Sequence, residues 1–94
     1  MSEATTITVK VLFFASAREA AGNVSSLNLE LPEAQANTAA LRTILAQRYP
    51  KLAPLVLDEQ TITLALNEVY VAEGDNPTLH NGDTIALIPP ISGG

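Results

Sequence analysis

Residues 5–15 read TTITVKVLFFA, in which apolar side chains recur at every second position from Ile7. Successive side chains of a β-strand point to opposite faces, so the pattern predicts a long, half-buried strand with its odd-numbered positions in the core. The odd-numbered set is Ile7, Val9, Val11, Phe13 and Ala15. The even-numbered positions begin polar and end apolar. We therefore expect Leu12 and Phe14 to reach the surface at one end of the sheet.

The residues that follow predict a short helical turn and a return strand. Ser16 and Glu19 have the S-x-x-E spacing of a capping box, and Gly22 suits the left-handed turn that ends a helix. Residues 24–31 alternate again and place three leucines on one face: Leu27, Leu29 and Leu31. Pro32 then ends the pairing.

The next segment changes to a helical period. Apolar side chains recur at three- and four-residue spacings at Leu41, Ile44, Leu45 and Tyr49. Asn37 or Thr38 can cap the start, and Pro50 closes the end. This is the one substantial helix that the sequence predicts, and its apolar stripe must cover the odd face of the first strand.

The second half of the chain predicts three further strands. They cover residues 61–66, with Ile62, Leu64 and Leu66 alternating, residues 69–71 after an Asn-Glu turn, and residues 84–88. Gly74 to Pro77 and the Asn-Gly-Asp sequence at 81–83 are turn sequences. In the last strand, Ile85 and Leu87 face inward, whereas Ala86 and Ile88 face outward.

The element order is ββαβββ, which predicts an α+β fold of the β-grasp (ubiquitin-like) class. In this roll the first and last strands lie side by side at the centre of the sheet. A ferredoxin-like fold would need a second helix of comparable size, and residues 51–60 are too short and too broken by proline to supply one. We expect residues 1–88 to form the domain and residues 89–94 to form an extended C-terminal Gly-Gly tail.

Composition excludes several classes of function. The chain has 94 residues and 47% hydrophobic side chains, so it makes one small domain with little material left to line a deep catalytic cavity. The absence of cysteine excludes disulfides, thiolate nucleophiles and thiolate metal sites. His80, the one histidine, cannot assemble a metal centre or a catalytic triad alone, and we interpret it as a solvated or hydrogen-bonding residue. We expect no independent active site and no metal site.

Charge and targeting signals limit the partners. A formal net charge of −5 with no basic cluster disfavours nucleic acid and suits a partner with a basic channel. The opening MSEATT lacks the positive and apolar regions of a secretory signal, and no run approaches the roughly 18 apolar residues that span a bilayer. We expect a cytoplasmic protein without membrane contact.

The final segment, residues 89–94, reads PPISGG. Two prolines resist sheet pairing and favour an extended backbone, and six residues reach at most about 20 Å. Two glycines without side chains let a narrow tunnel close on the last carbonyl. A terminal Gly-Gly dipeptide alone is more typical of a frayed chain end. Because these glycines follow directly on Pro-Pro and a compact ββαβββ domain, the segment predicts an arm that delivers its own terminus.

Four segments together resemble the MoaD family, the small sulfur-carrier subunits of molybdopterin synthase. They are residues 10–15 (KVLFFA) with Arg18 and Glu19, residues 64–67 (LALN), residues 81–83 (NGD) and residues 88–94 (IPPISGG). The resemblance spans almost the whole chain, and the Pro-Pro-Ile-Ser-Gly-Gly ending is its most specific part. The departures are a few extra N-terminal residues and Ile88 where aromatic residues are common.

The resemblance implies that the working group is the α-carboxylate of Gly94. In the family, an E1-like enzyme adenylates this carboxylate with ATP and Mg²⁺, and a persulfide donor converts it to a thiocarboxylate, so that the last residue becomes 1-thioglycine. The large subunit of molybdopterin synthase then uses the sulfur on cyclic pyranopterin monophosphate, in a complex that is often a heterotetramer. The remaining tail residues present this group: Pro89, Pro90, Ile91, Ser92 and Gly93. No tightly bound cofactor is implied.

The resemblance also implies a partner-binding surface at Phe14, Tyr70 and Ile88, where family members contact the large subunit and the activating enzyme. For Phe14 the alternative is that its ring tucks under the turn at residues 16–21. Three other functions share this fold: thiamine-pathway sulfur carriers, ubiquitin-related modifiers that act in tRNA thiolation or modify lysines, and interaction modules with an inert end. Chain length and the PPISGG ending favour the molybdopterin pathway.

Overall fold

A computed structural model describes residues 5–89 and shows a five-stranded mixed sheet with the strand order β2-β1-β5-β3-β4. The strands are β1 (Thr6–Phe13), β2 (Ser26–Pro32), β3 (Thr63–Leu66), β4 (Val69–Tyr70) and β5 (Thr84–Ile88). The helices are α1 (Ala15–Ala20), α2 (Thr38–Arg48) and α3 (Ala53–Val56), and a 3₁₀ turn covers Glu33–Gln35. The predicted β-grasp fold is confirmed. No helix within residues 5–89 is long and apolar enough to cross a membrane.

Strands β1 and β5 are neighbours in the middle of the sheet and run parallel, although they are the first and the last strand in the sequence. Lys10 lies opposite Thr84, and Phe13 lies opposite Leu87. β2 returns antiparallel along the other edge of β1, while β3 pairs antiparallel with β5. Because β1 and β5 point the same way, both end at the same edge of the sheet.

One face of the sheet forms the core, and the predicted alternation accounts for it. The buried strand residues include Ile7, Val9, Val11, Phe13, Leu29, Leu31, Leu64, Ile85 and Leu87. Leu41 and Leu45 of α2 belong to the same cluster, and the rings of Phe13 and Tyr49 pack edge to face with centroids 5.7 Å apart. The helix therefore covers this face, as its apolar stripe predicts.

The predicted capping box is wrong, and β1 ends earlier than expected. Ala15 is exposed and starts α1 with a φ of 49°, so it does not continue the inward face of the strand. Phe14 is the N-cap of α1, and no side chain caps this helix. Ser16 lies inside the helix, because the helix starts two residues earlier than the S-x-x-E spacing requires. Gly22 does adopt the predicted left-handed conformation, with a φ of 79°.

The cap of α2 agrees with the sequence, because the Asn37 Oδ1 accepts a hydrogen bond from the Ala40 N–H at 2.8 Å. The segment at 51–60 contains α3, which the sequence did not predict. Arg42 fastens this short helix in place: its guanidinium donates to the carbonyl oxygens of Val56 at 2.7 Å and Ile62 at 2.9 Å. A single helical turn has no apolar period to detect, so this element depends on tertiary contacts.

The turn between β3 and β4 is held by one side chain. Asn67 and Glu68 have φ angles of 50° and 73°, which suits the two-residue hairpin turn that the sequence predicts. The Asn67 Oδ1 accepts from the Thr84 N–H at 2.9 Å, and its Nδ2 donates to the Asp83 Oδ1 at 3.0 Å. Asn67 thus joins the β3–β4 hairpin to the start of β5.

Replacing this asparagine removes two hydrogen bonds and leaves an alanine at a positive φ. We expect Asn67→Ala to lower the free energy of unfolding by about 2 kcal/mol, measured by urea denaturation. Asn28→Ala, at an exposed position of β2, is the matched control, and it should change the free energy of unfolding by less than about 0.5 kcal/mol. Equal effects of the two substitutions would contradict the role given to Asn67.

Candidate functional site

The face of the sheet opposite α2 is open, and its apolar part lies towards the end of β5. The register places Leu12, Ala86, Ala65 and Tyr70 in one row across β1, β5, β3 and β4. At the other end of β1 this face is polar, because Thr6, Thr8 and Lys10 are all exposed. The face therefore changes from polar to apolar along β1, as the sequence predicts.

Phe14, Ile88 and Tyr70, the three residues expected to bind partners, lie on this same face. Phe14 continues β1 in extended conformation beyond Leu12, and Ile88 is the second residue after Ala86 on the parallel neighbour. The Phe14 side chain is 48% exposed and Tyr70 is 71% exposed, while Ile88 is half-buried. With about half of its surface exposed, Phe14 is not buried under α1. We name Leu12, Phe14, Tyr70 and Ile88 the open-face patch.

The tail starts beside this patch. Pro89 directly follows β5 and is buried, so the chain is still packed against the domain at the first tail residue. The other tail residues that the sequence singles out lie outside the described residues: Pro90, Ile91, Ser92, Gly93 and Gly94. Because β1 and β5 end at the same edge, the tail begins next to Phe14.

His80 is exposed at the far end of β5. Its backbone N–H donates to the Asp83 Oδ2 at 2.8 Å, and its Nδ1 lies 3.9 Å from the same oxygen. Asp83 in turn accepts from Asn67, so this cluster fixes the turn before β5. Within residues 5–89, no group of three or more histidine, aspartate or glutamate side chains is arranged to hold a metal ion.

Two groups in the described range have shifted pKa values: Asp58, in the loop after α3, and Arg42 of α2, whose side chain reaches that loop. Hydrogen bonds from the Gln60 N–H and the Thr61 hydroxyl, each 2.9 Å long, lower the pKa of the Asp58 carboxyl. Burial lowers the pKa of the Arg42 guanidinium, while Glu59 and Asp58 oppose that shift. An arginine remains charged at neutral pH in spite of such a shift. These groups organise the chain before β3.

Two exposed apolar residues were missed by the sequence analysis. Val69 is 68% exposed at the edge of the sheet, and Leu57 is 55% exposed after α3. The alternation of residues 69–71 predicts a strand but does not show that it has only one neighbour. A strand of two residues at a sheet edge leaves its side chains largely uncovered.

Adjacent phenylalanines offer a direct check of which side chain belongs to the core. Phe13→Ala should lower the free energy of unfolding by about 3–5 kcal/mol, because it empties a buried site. Phe14→Ala should cost less than about 1 kcal/mol, because half of that ring is already exposed. Thermal or urea unfolding of both variants measures the difference. A larger loss for Phe14→Ala would mean that its ring is structural.

Comparison with known proteins places this architecture in a defined group. The profile of the ThiS family matches residues 11–94. The molybdopterin synthase sulfur carrier subunit of Anopheles gambiae is 37% identical over 95 residues, covering 100% of both chains. The subunit of the same name from Chlamydomonas reinhardtii is 40% identical over 86 residues, covering 92% of this chain and 98% of the relative.

Solved structures give the same result for the fold. The small archaeal modifier protein 1 of Methanosarcina acetivorans superposes with a TM-score of 0.73 at 31% identity, covering 96% of this chain and 99% of that one. A chain from the complex of subunits 1 and 2 of the molybdopterin-converting factor of Helicobacter pylori has a TM-score of 0.65 at 25% identity. That match covers 94% of this chain and 100% of the other.

Proposed function

We propose a mechanism from one premise: this chain belongs to the ThiS family and is a sulfur carrier subunit of molybdopterin synthase, which acts in molybdenum cofactor biosynthesis. The resemblance to the MoaD family is thereby confirmed. In our proposal the sulfur travels on the α-carboxylate of Gly94. Residues 1–88 serve as the body that partners recognise, and residues 89–94 serve as the arm.

The carboxylate must first be activated. With a reference pKa of about 3.5, an α-carboxylate is ionised at neutral pH and is a poor electrophile. An E1-like partner transfers AMP from ATP, with Mg²⁺, to the Gly94 oxygen and releases pyrophosphate. The terminal sulfur of a persulfide displaces AMP, and a thiol then cleaves the sulfur–sulfur bond to leave a thiocarboxylate. This sulfur is anionic at neutral pH, so it is nucleophilic without a neighbouring base.

The thiocarboxylate is consumed in the large subunit. There it attacks cyclic pyranopterin monophosphate, and hydrolysis returns the Gly94 carboxylate. A dithiolene needs two sulfur atoms, so two loaded carriers must act in turn. The substrate-binding and acid–base groups belong to the large subunit in this scheme, and we place the cycle in the cytoplasm in a heterotetramer.

The observation that carries the proposal is the parallel pairing of β1 with β5. This pairing puts the start of the tail beside Phe14 and Ile88, so a partner that covers the open-face patch also meets the arm. The Helicobacter pylori relative is itself part of a complex of subunits 1 and 2, which supports a large-subunit partner for this chain. An apolar surface next to a reactive terminus fits successive docking to two partners.

A second function is protein modification, because a small archaeal modifier protein shares this fold at 31% identity. The same activated Gly94 would then acylate a lysine amine and form an isopeptide bond. The two outcomes differ in the product: a sulfur carrier releases an unmodified chain, whereas a modifier stays attached to its target.

Removing the last residue tests the position of the reactive group. We expect the chain without Gly94 to lose sulfur transfer to cyclic pyranopterin monophosphate, because its final carboxylate stops one residue short of the activating site. A reconstituted synthase assay with the activating enzyme, ATP and a sulfur source measures the dithiolene formed. Affinity for the large subunit, measured by calorimetry, should be retained and serves as the control for folding.

Adding one alanine after Gly94 is the matched variant, because it keeps both glycines and displaces only the terminus. It should fail in the same assay. Full activity of either variant would show that Gly94 does not carry the sulfur. If the protein were an interaction module with an inert end, neither variant would change its function.

The open-face patch has its own test. Tyr70→Ala and Ile88→Ala should each weaken binding to the large subunit by about 2 kcal/mol while the domain remains folded. Leu57→Ala is the matched control, since Leu57 is also exposed but lines a cleft beside α2 on the other side of the sheet. Calorimetric titration compares the three variants. Loss of binding by Leu57→Ala alone would place the interface elsewhere.

A further inference from the structure

A groove at the β4 edge of the sheet shares one residue, Tyr70, with the open-face patch. It has a volume of about 510 Å³. It is lined by Leu66, Val69, Tyr70, Val71, Asp75, Asn76 and Pro77. Leu66 pairs with Ile85 of the core face, and Val69 pairs with Leu66, so these two side chains lie on the α2 side of the sheet. The groove therefore opens at the flank of the core.

The groove combines exposed apolar surface with free backbone groups. Val69 is 68% exposed, and Leu66 and Val71 are half-buried beside it. The Val71 N–H donates to the Leu64 carbonyl at 2.8 Å, so the intervening Tyr70 directs its own N–H and C=O away from β3. Among residues 5–89, β4 has no strand on its outer side. An extended segment can pair there and place a side chain in the groove.

Charge decides what kind of segment fits. Every lysine and arginine of the chain lies at or before residue 51. In the following 43 positions, residues 52–94, the residues with a formal charge are all acidic: Asp58, Glu59, Glu68, Glu73, Asp75 and Asp83. Asp75 lines the groove, and Glu68 and Glu73 lie within two residues of lining positions along the chain. A second copy would bring the same carboxylates face to face, and a nucleic acid or an anionic membrane would be repelled.

We propose that this groove binds an extended partner segment in which an apolar side chain is flanked by lysine or arginine. The apolar side chain fills the space between Val69 and Pro77, and the cations lie against Glu68, Glu73 and Asp75. The surface is separate from the carrier chemistry, since none of these positions belongs to the tail. It would let a basic partner hold the carrier while Leu12, Phe14 and Ile88 of the open-face patch stay uncovered.

The test uses the full chain and a synthetic probe. The probe is an acetylated and amidated peptide that alternates lysine with valine or isoleucine, titrated into the nitrogen-15-labelled chain at low salt. We expect amide shifts concentrated in residues 66–77. Val69→Ser should weaken binding about tenfold, because the lost apolar contact is a large part of the interaction. Asp75→Asn should weaken it about two- to fivefold through the lost charge.

Matched controls separate this groove from general electrostatic attraction. Leu57→Ser alters an exposed apolar residue outside the groove and should leave the affinity unchanged. A peptide with serine in place of its apolar residues, and one with glutamate in place of lysine, should both fail to bind. An unchanged spectrum away from residue 69 shows that Val69→Ser remains folded.

Several results would overturn the proposal. Equal binding of the serine peptide would reduce the effect to non-specific attraction. Shifts centred on Leu12, Phe14 and Ile88 would assign the peptide to the open-face patch. Self-association of the free chain through residues 66–77 would make a second copy the occupant, and an absence of shifts at millimolar peptide would leave the groove without this ligand.

Discussion

The parallel pairing of β1 with β5 places the two strands next to each other in the middle of the sheet, with β2 beyond one and β3 beyond the other. It joins the first and last strands, so the core is complete only when both β1 and β5 are paired. The Asn67 and Asp83 side chains secure the start of β5. The other end of β5 then brings the beginning of the tail to the edge where Phe14 leaves β1. One backbone ladder thus connects the stability of the domain to the position at which its tail begins.

Much of this arrangement could be predicted from the sequence, because the alternation in β1 and β5 is long and regular. The inward positions of Val11 and Leu87 and the outward position of Ile88 follow from a two-residue period alone. The cap at Asn37 and the turn at Asn67 also follow from local chemistry, since each side chain satisfies nearby backbone groups. The open-face patch could be expected for the same reason as the core, because alternate residues of a strand face opposite sides of the sheet.

The remaining features depend on tertiary contacts that have no local signal. Ser16 and Glu19 have the spacing of a cap, yet the chain turns at Ala15, because β1 ends where its pairing with β5 ends. The helix α3 is held by Arg42, a contact between residues far apart in sequence. The exposure of Val69 depends on β4 being an edge strand, which alternation cannot reveal. The separation of charge at residue 51 was visible in the sequence, but it acquires meaning only beside the β4 groove.

In the proposed cycle the partners supply activation and substrate, while the domain supplies recognition and reach. The most direct measurement is the intact mass of the chain after incubation with an activating enzyme, ATP and a persulfide donor. Sulfur loading at Gly94 predicts a mass increase equal to the exchange of one oxygen for sulfur, and fragmentation should localise that exchange to Gly94. An unchanged mass under conditions that load a related carrier, or sulfur found at any other residue, would contradict it.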